Sequence, residues 1–273
     1  MGGVHLAGNM VKGFRAAIGF LTTIPVRVRD DDYDSFVSRL YLFIPAGLLA
    51  GLLIGMAGLA FQWLLPVPFA AALAVACVIL LTGINHIDGL SDMADGLVTS
   101  GPPEKKIRSM KDVHAGAGGI LAIGLDLLFL YALLSTFAGS DIPVLLPIFV
   151  AEVCAKVAMI TVIAFGKSLG PGMGAVVIAA AKKSHYMTGI IIAWAAITIA
   201  VVVTGMFYNG LPLWRIWLAG LLAMLSPLVV AAVVLATADR NFGGVNGDIM
   251  GAANESARIA ALAVMGAVLW MHW

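Results

Sequence analysis

Charged residues are scarce in this chain, and cysteine is scarcer. Asp, Glu, Lys and Arg make up 11% of the 273 residues, and no polar segment is long enough to build a separate soluble core. The two cysteines, Cys77 and Cys154, lack the spacing of a metal site or a disulfide framework. The composition therefore excludes a disulfide-stapled fold, and we expect one integral membrane domain over residues 1–273.

Apolar residues make up 61% of the chain, and several apolar stretches reach the roughly 20 residues that a helix needs to cross a bilayer. These stretches predict an all-α polytopic membrane protein, a bundle of seven to eight transmembrane helices. The predicted spans lie near 40–65, 67–87, 119–137, 142–165, 188–208, 213–238 and 256–273. A shorter apolar stretch at 14–26 is compatible with three arrangements: it crosses the membrane, re-enters it or lies at its interface.

Lys and Arg are missing from one set of predicted connections, those near 66, 138–141 and 209–212. The opposite set, at 27–39, 88–118, 166–187 and 239–255, holds nearly all of them. Basic residues concentrate in cytoplasmic loops. The pattern predicts a multi-pass protein of the cell membrane whose polar motifs, including its acidic ones, face the cytoplasm.

An acidic motif, NHIDGLSDMADG, follows the second of these spans at residues 85–96. Asp88, Asp92 and Asp95 stand at i, i+4 and i+7, which places them within roughly 60° of one another on a helix. Three carboxylates on one face repel unless they share cations, and such ligands suit Mg²⁺, Mn²⁺ or Ca²⁺. Gly89 and Gly96 would let a substrate or a second helix approach this face.

A second acidic face is predicted near the C-terminal span, in GGVNGDIMGAANE at 243–255. Asp248 and Glu255 again stand at i and i+7, with Asn254 adjacent. Two acidic faces at cytoplasmic helix ends, from opposite halves of the chain, indicate one shared metal site. Its predicted ligands are Asp88, Asp92, Asp95, Asp248 and Glu255.

Basic residues follow the first acidic motif. Pro102 and Pro103 can start a helix, on which Arg108, Lys111 and Asp112 would share one face at i, i+3 and i+4. This arrangement suits a phosphate. The glycine-rich GKSLGPGMG at 166–174 could supply backbone N–H groups to an anion or simply turn the chain.

Three charges fall inside predicted spans. Glu152 and Lys156 are four residues apart and would neutralise each other within the bilayer, whereas Asp126 has no local partner. For all three, a structural role is at least as well supported by the sequence as a functional one.

These motifs resemble those of the adenosylcobinamide-GDP ribazoletransferases, also called cobalamin (5′-phosphate) synthases. The resemblance spans most of the chain and rests on five motifs in the family's order. They are FLTTIPV at 20–26, YLFIPAGLLAG at 41–51, NHIDGLSDMADGL at 85–97, RSMKDVHAGAGG at 108–119 and GGVNGDIMGAANE at 243–255. Asn246 replaces a threonine common in the family, and Arg258 replaces a glutamate.

The resemblance implies a Mg²⁺-dependent phosphotransferase of cobalamin nucleotide-loop assembly. Its substrates would be adenosylcobinamide-GDP and α-ribazole or α-ribazole 5′-phosphate, and GMP would leave. We expect substrate contacts from His86, Arg108, Lys111, Asn246 and Asn254. Catalytic candidates are Lys111 and Asp112, with Asp95 or Glu255 accepting the hydroxyl proton. We expect the protein to be surrounded by the lipid bilayer and to bind no nucleic acid. The sequence leaves open whether it forms a homo-oligomer.

Other functions are compatible with parts of the pattern. A CDP-alcohol phosphotransferase uses the same chemistry, but it spreads its last two aspartates further downstream than Asp92 and Asp95 lie here. A prenyltransferase would bind an isoprenoid diphosphate at its aspartates instead. A transporter would explain the charges inside the spans, but transporters bind near the bilayer midplane, whereas the strong acidic clusters here lie at helix ends.

Overall fold

The protein is helical throughout the part that the computed structural model describes, residues 2–207 and 212–270, with side chains from residue 8 onward. Within these ranges there are twelve α-helices, one short 3-10 turn at Leu40–Leu42 and a single isolated bridge between Ser168 and Val245. The helices are α1 (Gly2–Leu21), α2 (Asp30–Val37), α3 (Phe43–Leu64), α4 (Val67–Thr82), α5 (Asn85–Val98), α6 (Pro103–Met110), α7 (Ala117–Ala138), α8 (Leu145–Phe165), α9 (Met173–Ala180), α10 (Lys183–Phe207), α11 (Leu213–Asn241) and α12 (Gly247–Trp270).

Six of these helices are long and apolar enough to cross a membrane: α3 with the 3-10 turn before it, α7, α8, α10, α11 and α12. The pair α4 and α5 passes the same test together, but it is bent by 91°. Large apolar side chains such as Leu121, Ile191 and Val229 are exposed on the outside of the bundle. The prediction of a polytopic helical membrane protein is confirmed, with a seventh span if the bent pair counts as one.

Two predicted segments differ from the helices that the structure contains. The stretch at 14–26 comprises the end of α1 and an extended segment after it, and α1 is not among the candidate spans. The predicted span at 256–273 starts nine residues earlier, at Gly247, and its residues 271–273 lie outside the described part of the chain, as do residues 208–211 of the connection before α11.

The bend between α4 and α5 has a local cause. Gly83, with a φ of 75°, leaves the helical conformation directly after Thr82, and α5 starts in a new direction at Asn85. Thr23 then supplies hydrogen bonds to the end of α4: its backbone N–H donates to the oxygen of Leu81 at 2.8 Å, and its hydroxyl donates to the oxygen of Leu80 at 2.6 Å. The bend turns the acid-bearing helix away from the direction of the preceding span.

The centre of the bundle is α8, nearly all of whose residues are buried. Glycines at every fourth position of α3 allow it to pack closely on α8: a Cβ added at Gly51 would lie 3.1 Å from the Cα of Phe149, and one at Gly55 would lie 3.1 Å from the oxygen of Leu145. Small residues in such stripes let membrane helices approach. On its other side α8 packs against α12, the helix that carries the second acidic motif.

Candidate active site

Helices α5 and α12 cross at very short distance through two glycines. A Cβ added to Gly89 would lie 2.6 Å from the backbone oxygen of Asp248, and one added to Gly251 would lie 2.9 Å from that of His86. The prediction that Gly89 admits a second helix is confirmed. The crossing brings the two acidic motifs together, although they come from opposite halves of the chain.

A cavity of about 290 Å³ opens beside this crossing. The polar part of its lining comprises Asn85, His86, Asp88 and Asp248. Asp88 is exposed and Asp248 is half-buried, so both carboxylates are accessible from the cavity. His86 is 6% exposed, and its Nδ1 atom has no hydrogen-bond partner among the described residues. An unsatisfied ring nitrogen of this kind is available to a ligand.

Asp92 stands beside the two lining aspartates. It is half-buried on α5 and lies within electrostatic range of Asp248 and Asp88. Lys111, in the turn after α6, lies close enough to Asp248 to attract it. Three of the predicted acidic residues and one of the predicted basic residues, Lys111, therefore lie close together.

Asn246 holds Asp248 in place. Its side-chain nitrogen donates to Asp248 Oδ2 at 2.6 Å, and its side-chain oxygen accepts the backbone N–H of Ile249 at 3.1 Å. This is a cap for the first turn of α12. The glycine-rich segment buttresses the same loop, since Val245 N donates to the oxygen of Lys167 at 2.6 Å. The structure places Asn246 next to the cavity as a support for Asp248.

Asp95 has a different environment from the other acids of its motif. It is 6% exposed, and its carboxylate accepts the backbone N–H of Gly116 at 2.7 Å and that of Gly119 at 2.9 Å. It thus satisfies free donors at the start of α7 from a neighbouring helix. Asp95 does not line the cavity, and both of its oxygens are already engaged.

Glu255 and Asn254 are also separated from the cavity, and both are fully buried. Glu255 is ion-paired with Arg258 and accepts the side-chain N–H of Asn254 at 2.9 Å. The structure therefore does not join Glu255 to the aspartates in one metal site, because its carboxylate lies about two helical turns beyond Asp248 on α12 and is paired with Arg258. The side-chain oxygen of Asn254 accepts a hydrogen bond from Lys156 Nζ at 2.6 Å, and Asn254 does not line the cavity.

The charges inside the spans belong to this same network. Arg258 Nε donates to Glu152 Oε1 at 2.6 Å, so Glu152 pairs with α12 rather than with Lys156 as predicted. Buried charges need such partners. Asp126 lies near Glu255 and Arg258. The signal for this network was Arg258 itself, at a position where a glutamate is common in the family that the motifs resemble.

The basic motif is only partly as predicted. Pro102 and Pro103 start α6, but the helix ends at Met110, so Asp112 lies beyond it and does not share a helical face with Arg108. Arg108, Lys111 and Asp112 are all exposed. The backbone N–H of His114, together with its ring, bonds Asp112 at 3.0 Å and lowers the pKa of that carboxyl. Asp112 is thereby kept ionised and shapes the turn that carries Lys111.

Aromatic and sulfur-containing side chains complete the cavity, and sequence reasoning missed them. Phe20 and Phe43 come from two of the resemblance motifs, whereas Met173 starts α9 at the end of the glycine-rich segment. The sequence signal was only that each of these two motifs contains an aromatic residue. Nothing in the sequence showed that they face the acids.

The acidic residues near the cavity offer oxygen ligands of the kind that a divalent cation takes. Among the described residues, no group of three or more His, Cys, Asp or Glu side chains is arranged to hold a metal ion. Mg²⁺, however, is commonly held by one or two carboxylates, with waters and substrate phosphates completing its shell. Asp88 and Asp248 line one cavity, and Asp92 lies beside them. They supply the one or two carboxylates that such a Mg²⁺ site needs.

These features define a class: a polytopic helical membrane protein with an acidic, cation-compatible cavity where two helices cross. The cobalamin-5-phosphate synthase family model matches residues 13–266, and the chain belongs to this family. The resemblance identified from the motifs is confirmed.

Curated relatives carry the name adenosylcobinamide-GDP ribazoletransferase. One from Methanocella arvoryzae is 62% identical over 268 residues, which are 98% of this chain and 100% of the relative. One from Methanosarcina barkeri is 36% identical over 94% of this chain and 92% of its own length. One from Pyrococcus abyssi is 32% identical over 92% and 96%, respectively. No solved structure matches the chain.

Proposed function

We propose that the protein is an adenosylcobinamide-GDP ribazoletransferase. A ribose hydroxyl of α-ribazole, or of its 5′-phosphate, attacks the phosphorus attached to the cobinamide side of the diphosphate. A new P–O bond forms, the P–O bond to GMP breaks, and adenosylcobalamin or its 5′-phosphate results. The observation that carries the proposal is the meeting of Asp88 and Asp248 across one cavity, in a chain whose relatives bear this name.

The carboxylates are proposed to act with Mg²⁺. Asp88 and Asp248 would hold the ion, with Asp92 as a further ligand or as the partner of a bound water. When bound, the cation neutralises charge on the diphosphate and on the departing phosphate. Asn246 contributes by fixing the Oδ2 atom of Asp248.

Lys111 supplies positive charge close to Asp248. A charge-assisted contact from its ammonium to a diphosphate oxygen would orient the substrate. Arg108, exposed one turn earlier, extends the same basic edge. Because Asp95 and Glu255 do not line the cavity, we propose that the hydroxyl proton goes to one of the aspartates that do, or to Asp92 beside them.

The cavity is proposed to face the cytoplasm of the cell membrane. The turn after α6 brings Lys111 near Asp248, and α6 itself carries Lys105, Lys106 and Arg108. Basic residues favour the cytoplasmic side. The nucleotide substrate and GMP would then exchange with the compartment where nucleotides are made.

The test is GMP release from adenosylcobinamide-GDP by the purified protein, with α-ribazole and Mg²⁺ each present or omitted and the corrin product identified by mass. We expect release that requires both. Asp88→Asn and Asp248→Asn should abolish it, whereas Asp141→Asn, an exposed acid in the α7–α8 loop, should not. Turnover by wild type without any divalent cation would contradict the metal role. No release from folded wild-type protein would contradict the proposal and direct the search to CDP-alcohol substrates and then to transport.

A further inference from the structure

The cavity beside the α5–α12 crossing is lined by two chemically different sets of side chains. One set is polar and acidic and includes Asp88 and Asp248. The other set, called here the apolar wall, comes from five helices: Phe20, Phe43, Met159, Ile163, Met173, Val177 and Met250. A ligand that contacts both sets must itself have an apolar part and a polar part.

The apolar wall is built on an aromatic cluster. The ring of Phe20 lies 5.5 Å from that of Phe36 and 6.4 Å from that of Phe43, and the last two stack at 4.9 Å. Phe36 and Phe43 are buried, whereas Phe20 is 36% exposed. Phe20 and Phe43 both line the cavity, and Phe20 is the more exposed ring, packed on the other two.

Two further contacts hold this wall in position. Arg15 of α1 forms a two-point ion pair with the buried Asp32 of α2, with Nη2 at 2.6 Å from Oδ1 and Nε at 3.0 Å from Oδ2. Tyr33, also on α2, contacts Met173 at the start of α9. Helix α2 is thus linked both to α1, which is not a candidate span, and to α9.

The size of the cavity and the polarity of its apolar wall discriminate between the two substrates. A cavity of about 290 Å³ is at the lower limit for ligand pockets, enough for a bicyclic base with part of its sugar but not for a corrin ring. Guanine carries an amide and an amino group, which need hydrogen-bond partners when they are buried. The benzimidazole of α-ribazole has no such groups, and its flat apolar ring suits Phe and Met side chains.

We infer that the apolar wall of the cavity, at Phe20 and Met173, is the subsite for the aromatic base of α-ribazole. The inference rests on the proposed function. With the base against Phe20, the ribose extends toward Asn85, His86 and the aspartates, and the unpartnered His86 Nδ1 is available to a sugar hydroxyl. The guanosine and corrin parts of the other substrate then lie outside the cavity, on the side of Lys111.

The test separates the two Michaelis constants. Phe20→Ala and Met173→Ala should each raise the KM for α-ribazole by about tenfold, the loss expected when one stacking surface for a base is removed. The KM for adenosylcobinamide-GDP should stay within about twofold of wild type. Both positions are partly exposed, at 36% and 49%, so folding should tolerate the changes. Phe20→Trp should restore the wild-type value because it keeps an aromatic face.

Phe129→Ala is the matched control, since Phe129 is an exposed phenylalanine of α7 that does not line the cavity. It should change neither constant. A second readout is calorimetry in detergent, which measures the binding of α-ribazole, or of GMP, to the protein alone. α-Ribazole should bind wild type and lose affinity in Phe20→Ala, whereas any GMP binding should be unaffected.

Three results would overturn the inference. One is a rise of both Michaelis constants together, which indicates a structural role for the wall. Another is a rise for adenosylcobinamide-GDP alone, which would assign the wall to guanine. The third is unchanged affinity for α-ribazole in both variants. Failure of the proposed function is a separate result, because wild-type protein would then release no GMP at all.

Discussion

Gly89→Ala tests whether the close crossing of α5 and α12 sets the geometry for catalysis. The added methyl group would lie 2.6 Å from the oxygen of Asp248 and 2.8 Å from its Cα, whereas ordinary contact begins at 3.4 Å. Both neighbours are backbone atoms, which cannot rotate away. The two helices must therefore separate by roughly 1 Å, and Asp88 moves away from Asp248 by a similar amount.

The expected effects on stability and on rate differ. Overpacking costs about 1–3 kcal/mol, and the replacement of a helical glycine by alanine offsets about 1 kcal/mol of this. We expect Tm to fall by a few degrees, with the protein still folded. A displacement of about 1 Å between the groups that are proposed to hold one diphosphate can reduce turnover by about 100-fold, so kcat should fall far more than stability does.

The assay is GMP release at saturating substrates, together with thermal unfolding in the same detergent. Gly124→Ala is the control, because Gly124 lies on α7 and a Cβ there meets nothing within 4 Å. This variant should be as active as wild type and up to about 1 kcal/mol more stable. If Gly89→Ala retained kcat within about twofold of wild type, the crossing would not be what positions the two aspartates.

Three further variants test separate parts of the site. Lys111→Ala should raise the KM for adenosylcobinamide-GDP about tenfold and leave that for α-ribazole unchanged, because its ammonium is proposed to contact the diphosphate; equal rises for both substrates would contradict this contact. Asp95→Ala should cost about 1–2 kcal/mol and lower Tm, because the start of α7 loses its cap; a stable variant with no activity would instead indicate a direct catalytic role. Arg258→Met leaves two buried carboxylates unpaired and should destabilise the protein by about 3–5 kcal/mol, measured as loss of folded protein in detergent; wild-type Tm would contradict the importance of the ion pair.

The spans could be predicted from the sequence because the length of an apolar run and its hydropathy suffice to identify a membrane helix. The break at Gly83 could not, since a run that continues to residue 87 looks like one helix. Only the left-handed conformation of Gly83 and the two bonds from Thr23 show where the direction changes. Those bonds join segments that are far apart in sequence.

For the site, helical spacing was a good guide to Asp88 and Asp92 and a poor one to Asp95. All three stand on one stripe of α5, but what each carboxylate meets depends on the neighbouring helix. Asp95 meets the start of α7, and the other two face the crossing with α12. Glu255 shows the same limit, because a partner one turn away, Arg258, and a carboxylate on α8 decide its environment.

The crossing of α5 with α12 also has a consequence for biogenesis. During synthesis α5, which carries the first acidic motif, enters the membrane early. Asp248 and Gly251 belong to α12, the last described helix. Until that helix is made and docks, Asp88 has no opposing carboxylate and the cavity lacks one wall. Contacts between such distant segments form late. A chain that stops before residue 247 lacks Asp248 and one wall of the cavity, so under the proposed function we expect it to release no GMP.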